Sequence, residues 1–163
     1  MSSSGRAALI EAIGSAVMRW QEATQAFDDA VGEQLGLSRA ERQCLAVLHE
    51  GAKPAGAVAK AIGLTPAAVT SLIDRLEERG LLERRRSKED RRQVHLALTG
   101  KAMKETMKYY GPIAAEGGSL LSAMTAAELE AVNGFLSRAL ALQQRHLDKA
   151  RSSTGKKPQR KRT

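Results

Sequence analysis

Six cationic side chains and two adjacent carboxylates fall within the eleven residues 84–94, RRRSKEDRRQV. Arginine and lysine at this density can neutralise a polyanion and release its counterions. The same composition also makes a solvated face or a basic localisation segment, and the run alone does not choose among these. The charge is concentrated rather than spread. Residues 151–163 carry six more basic residues and no acid, so the two segments together exceed the net charge of +8 and leave a slightly acidic remainder. Two positive patches on an acidic body fit an electrostatic footprint for nucleic acid. Glu89 and Asp90 run against that pattern, because a plain phosphate clamp gains nothing from carboxylates. A carboxylate two residues from an arginine can, however, accept its guanidinium hydrogen bonds and hold it in one rotamer. That makes Asp90 a candidate orienter of Arg92.

A second chemistry-bearing stretch lies just upstream. Residues 65–79 spell a helix whose outer face near the N-terminus is made of Thr65, Ala67, Ala68, Thr70 and Ser71, with Arg75 one turn later. Small side chains let a helix sit deep in a major groove, where hydroxyls meet base edges and methyls meet thymine; Arg75 is placed to reach a phosphate or a guanine. The same face would also suit the solvent side of an ordinary helix. Catalytic patterns are missing by contrast. The chain has one cysteine, Cys44, and three widely separated histidines, His49, His95 and His146. No nucleophile elbow, P-loop, dinucleotide fingerprint or metal-ligand spacing is present, so neither an enzyme nor a metal or cofactor is expected. Cys44 lies beside Leu45 and Leu48 on a helical stripe and reads as a small buried hydrophobe, with a redox switch as the alternative.

These residues need elements to carry them. With 3% aromatic residues, the core must be aliphatic, which suits helices packed on helices. Leu9, Ile10, Ile13, Val17, Trp20, Phe27 and Val31 repeat at helical spacing, and Gly32 and Gly36 bracket an expected break. Ser38 and Glu41 form a capping-box signature for the next helix, with Gly51 as its stop. Pro54 suits a first helical position, and Thr65–Pro66 starts a helix with Val69, Leu72, Ile73 and Leu76 on one face. Two short helices joined by AIGLT have the layout of a helix-turn-helix. After Gly80 the period becomes two, as Val94, Leu96 and Leu98 alternate, so 81–99 reads as a β-hairpin with the charged run at its tip. Thr99 caps a further helix, in which Gly111, Pro112 and Gly117–Gly118 predict a kink or interruption. Thr125 and Glu128 cap a last helix, and from Arg151 onward a polar, cationic tail is expected to be disordered. No stretch has the roughly 18 apolar residues of a membrane span, and the N-terminus lacks a signal-peptide pattern, so a cytoplasmic protein is expected.

The expected architecture is mainly α with a small β-hairpin wing: a winged helix-turn-helix with N- and C-terminal dimerisation helices. Its parts are an N-terminal helix (1–36), a DNA-binding domain (37–100), C-terminal helices (101–150) and a basic tail (151–163). The terminal apolar stripes exceed what a central unit of ~60 residues can cover, which predicts a homodimer. Within that frame Arg84, Arg86, Lys88, Arg91 and Arg92 become wing residues beside phosphates or in a minor groove. The tail reads as a non-specific DNA-contacting arm, a solubilising end or a partner-binding segment.

The stretch LTPAAVTSLIDRLEERGLLERRRSKEDRRQVHLALT resembles the core of the MarR (multiple antibiotic resistance regulator) family. The likeness rests on the D-R-L-x-x-x-G-L run that ends the helix, the wing motif Asp90-Arg91-Arg92 and the trailing LT; it extends over residues ~10–148 and is strongest over 38–103. It implies a homodimer with intertwined terminal helices, one helix per protomer in successive major grooves of a pseudo-palindromic site, and Arg92, supported by Asp90, in the flanking minor groove. It also implies a repressor, often released by a small aromatic or phenolic ligand, and Trp20, His49 and Tyr110 are candidate pocket residues, although large residues on helical stripes are more often core. An architectural protein with little sequence preference remains the alternative, as does a regulator responding through Cys44.

Overall fold

A computed structural model of the chain describes residues 2–86 and 93–154. The expected wing-tip residues Lys88, Asp90, Arg91 and Arg92, and tail residues 155–163, lie outside the described residues. The order is α1 (Ser3–Leu35), α2 (Arg39–His49), β1 (Lys53–Pro54), α3 (Ala55–Ile62), α4 (Pro66–Glu78), β2 (Leu82–Arg86), β3 (Val94–Leu98), α5 (Gly100–Ser122) and α6 (Ala126–Thr154). It divides into two compact units, 1–112 and 113–163.

Local chemistry sets most of these boundaries. Gly36, at φ +60°, ends α1 in a left-handed turn, with Leu37 N–H donating to Gly32 O at 2.8 Å. Gly32 does not break α1, as the spacing had suggested. It lies buried inside the helix, where a Cβ would come within 2.7 Å of the Arg42 side chain, so the missing side chain serves a close crossing. Ser38 and Glu41 form the complete capping box of α2, and Thr65 caps α4 with Pro66 in its first turn.

The hairpin forms as expected, with Leu82 opposite Leu98 and Arg86 opposite Val94. It gains a third strand, in the order β1-β3-β2, through antiparallel pairing of Lys53 with Leu96 and Pro54 with His95. Pro54 is thus the last residue of an edge strand and the residue before α3, not its first helical residue; proline's missing N–H is tolerated at a sheet edge. The apolar faces of α2, α3 and α4 close on this sheet over a core that includes Leu72, Leu76, Leu82 and Leu96, each about 1% exposed or less. Burying each such leucine contributes about 1.5–3 kcal/mol.

Helix α5 is unbroken across Pro112 and the later glycines, against the expected interruption. A proline inside a helix costs one backbone hydrogen bond, and the remaining bonds carry the helix past it. Helix α6 continues to Thr154, so the first four residues of the expected disordered tail are helical. Among the described residues no single helix is long and apolar enough to cross a membrane.

Candidate nucleic-acid interface

Helix α4 buries Val69, Leu72, Ile73 and Leu76 and leaves its opposite side exposed. Thr65, Ala67, Ala68, Thr70 and Ser71, the residues expected to read bases, all lie there. Their hydroxyls are already oriented. Thr70 donates to Pro66 O at 3.0 Å, Ser71 donates to Ala67 O at 3.4 Å, and Thr65 Oγ1 accepts the Ala68 N–H. With their protons turned back into the helix, Thr70 and Ser71 present acceptor lone pairs outward, matching the amino groups of adenine or cytosine.

The flanks of α4 are held by ion pairs of opposite polarity. On one side Arg84 of β2 reaches Asp74 at 2.7 Å and also pairs with Glu77. Strand alternation places Arg84 on the same face as buried Leu82, which brings it back toward α4. Arg84 therefore braces the wing against the helix, and its charge is largely committed within the protein. Arg85 pairs with Glu83, whereas Arg86 is exposed at the end of β2. On the other side Arg75 Nε donates to Glu41 Oε1 at 3.3 Å, while 57% of the Arg75 side chain stays exposed.

Glu41 has more work than the capping box implies. Its Oε2 accepts from the Ser38 N–H and hydroxyl, both at 2.8 Å, and its Oε1 faces Arg75. Burial opposes the charge, but the bonds from Ser38 and Arg75 outweigh it and hold the carboxyl below its ordinary range.

The next residue, Arg42, turns the other way. It donates to the Asp28 carbonyl and the Asp29 carboxylate on α1, and that guanidinium contact lowers the Asp29 pKa. Tyr110 of α5 donates to Asp28 Oδ1 at 2.8 Å and packs edge-on against Phe27. Burial, followed by the Asp28 bond, pushes the Tyr110 phenol up to about 12. Behind this group lies a cavity of about 440 Å³ with apolar walls from Val31, Leu35, Leu45, Leu98 and Met107. His49, Tyr110 and Arg42 also line it. Of the three residues expected to line a pocket, the structure brings His49 and Tyr110 together but not Trp20. Trp20 is 61% exposed on α1, on much the same helix side as the cavity-lining Val31 but about three turns before it along the axis. Cys44 is fully buried, and its burial pushes the thiol up to about 11. Among the described residues no three His, Cys, Asp or Glu side chains converge as metal ligands.

Sequence reasoning missed Arg42, Arg79 and the second contact of Glu41. The capping box pointed to Glu41, but nothing local marks the other two, whose partners are 13 to 44 residues away.

Residues 35–93 match the model of the MarR family. A transcriptional regulator of the helix-turn-helix type from Bacillus subtilis (strain 168), YcgE, is 29% identical over 127 residues, covering 77% of this chain and 82% of that one. Two solved structures share the fold. One is a mutant of S. aureus MepR bound to an oligodeoxyribonucleotide, 23% identical with a TM-score of 0.51, matched over 79% of this chain and 96% of that one. The other is S. aureus MepR bound to ethidium bromide, 21% identical with a TM-score of 0.56, over 79% and 95%. The helix pair, α4 and the three-stranded sheet give the chain a winged helix-turn-helix fold, similar over residues 35–93 to the MarR family of transcription regulators.

Proposed function

We propose that the protein is a homodimeric repressor that reads a pseudo-palindromic duplex and is released by a small aromatic or phenolic ligand. The observation that carries the reading is the exposed small-residue face of α4, Thr65 to Ser71, clamped on both flanks and adjoining the wing strands. Each such face enters a major groove, with Arg75 at its edge. Strands β2 and β3 deliver the tip that follows Arg86, where Lys88 and Arg91 lie along phosphates and Arg92, oriented by Asp90, enters the minor groove. The tail beyond Thr154 adds salt-dependent, sequence-independent affinity.

Dimerisation is supported by apolar surface that a lone chain leaves in water. Leu120 is 75% exposed and Leu140 71%, and the described residues of α6 include no buried one. Patches of this kind mark interaction surfaces, and the terminal helices are therefore assigned to a second copy. The ligand is assigned to the 440 Å³ cavity, which falls within the usual size of small-molecule sites and sets the polar side chains of Arg42, His49, Glu50, Thr106 and Tyr110 among apolar ones. MepR with ethidium bromide provides a precedent in the same fold.

Selection of bound duplexes from a random library tests the reading. One pseudo-palindromic motif, bound at least about 10³-fold more tightly than random DNA, is expected. Arg92→Ala and Asp90→Ala should each weaken that preference while the dimer persists in sedimentation. Uniform binding without an enriched motif would instead identify an architectural protein.

A further inference from the structure

Helix α1 has no basic residue in its last turn, and its Schellman-type cap satisfies the carbonyls of Gly32 and Glu33 but not that of Leu35. Such an end is electronegative and attracts a cation. The cation comes from α4. Arg79, the C-cap of that helix, donates through Nη2 to Leu35 O at 2.7 Å and through Nη1 to Gly36 O at 2.9 Å. Its own carbonyl accepts from Lys101 Nζ at 2.8 Å. The half-buried guanidinium thus spans two consecutive carbonyls with two parallel bonds, a geometry that restricts direction as well as distance. Arg75, one turn earlier on the same flank, is tied to Glu41.

We propose that Arg79 is a positioning residue for DNA reading: its fork locks the C-terminal end of α4 onto the last turn of α1 and so sets the direction in which the Thr65–Ser71 face is presented. This rests on the reading of α4 as the base-reading element. Lysine does not replace the fork, because one ammonium cannot match two fixed carbonyls with planar geometry.

The test uses the full chain, the duplex selected from the library and a random duplex, with affinities measured across a salt series. Arg79→Ala is expected to bind the selected duplex at least about tenfold more weakly, to bind random DNA almost unchanged and to keep the parent's salt slope. Arg79→Lys is expected to recover only part of the loss. A slope smaller by about 0.9 in Arg79→Ala would make Arg79 a phosphate contact and overturn the proposal. Unchanged affinity would overturn it as well. Should Arg79→Ala lose its helical circular dichroism, the lysine variant decides, since full recovery of selective binding by lysine would show that charge alone suffices. Ser71→Glu separates the underlying reading. Full affinity in that variant would remove α4 from the interface, whereas loss of binding there with an unaffected Arg79→Ala would overturn only the role of Arg79.

Discussion

Replacing Glu41 by glutamine keeps the shape of a 6% exposed side chain and removes its charge. In the parent, Oε2 accepts two bonds from Ser38 at 2.8 Å and Oε1 accepts one from Arg75 at 3.3 Å. Bonds to a charged acceptor contribute about 1.5–3 kcal/mol each, against about 0.5–1.5 for neutral ones. The glutamine oxygen can keep the Ser38 bonds, weakened, but its amide group then meets another donor in Arg75. The Arg75 head can rehydrate, so that contact accounts for less than about 1 kcal/mol. A total loss of about 1–3 kcal/mol at pH 7 is expected, read by urea unfolding at fixed protein concentration. The pH dependence has a definite sign. The Glu41 pKa is lowered in the folded protein from its ordinary 4.5, so its contribution is present above that value and is lost as pH falls through the folded one. The gap between parent and variant should therefore close under acid. Equal stability at pH 7, or a gap that survives undiminished once both carboxyl forms are protonated, would refute the account of Glu41 as an ionised link between the start of α2 and α4.

Two further outcomes follow from the ion pairs and the core. The Cys44 thiol, raised to about 11 by burial, should react with iodoacetamide at pH 8 at least about 100-fold more slowly in the native protein than in urea, as intact mass would show; comparable rates would favour a redox-responsive cysteine. Arg84→Ala should cost less than about 1 kcal/mol of stability, because its pairs are part-exposed. It leaves Asp74 and Glu77 uncompensated beside the reading face, so fluorescence anisotropy should show weaker DNA binding, with the deficit larger at about 50 mM than at about 300 mM salt. Unchanged binding at low salt would mean that Arg84 neither braces the wing nor offsets those carboxylates.

Legibility in the sequence followed the range of the interactions. Helix starts at Ser38, Thr65 and Thr125 depend on bonds to residues three positions away, so they could be read from the chain alone. The stop at Gly36 was also local, because that position needs a positive φ. Pro54 was misplaced because its partner, His95, is distant in sequence and strand pairing leaves no local mark on a two-residue element. Gly32 carried the right signal and the wrong reading: a glycine can end a helix or admit a crossing side chain, and only the path of Arg42 distinguishes the two.

The same division holds for the site. By itself the sequence determined that a small-residue helix precedes a basic hairpin, because periodicity, caps and charge spacing are properties of neighbouring residues. Only the tertiary structure decided which cations are committed. Arg84 closes on Asp74 and Glu77, Arg42 on α1, and Arg79 on Leu35 and Gly36, whereas Arg86 stays exposed at the end of β2. It likewise left Trp20 out of the cavity that His49 and Tyr110 line, although all three were candidate pocket residues. An arginine's identity fixes its charge but not its partner, and partners separated by tens of residues are chosen only when the chain packs.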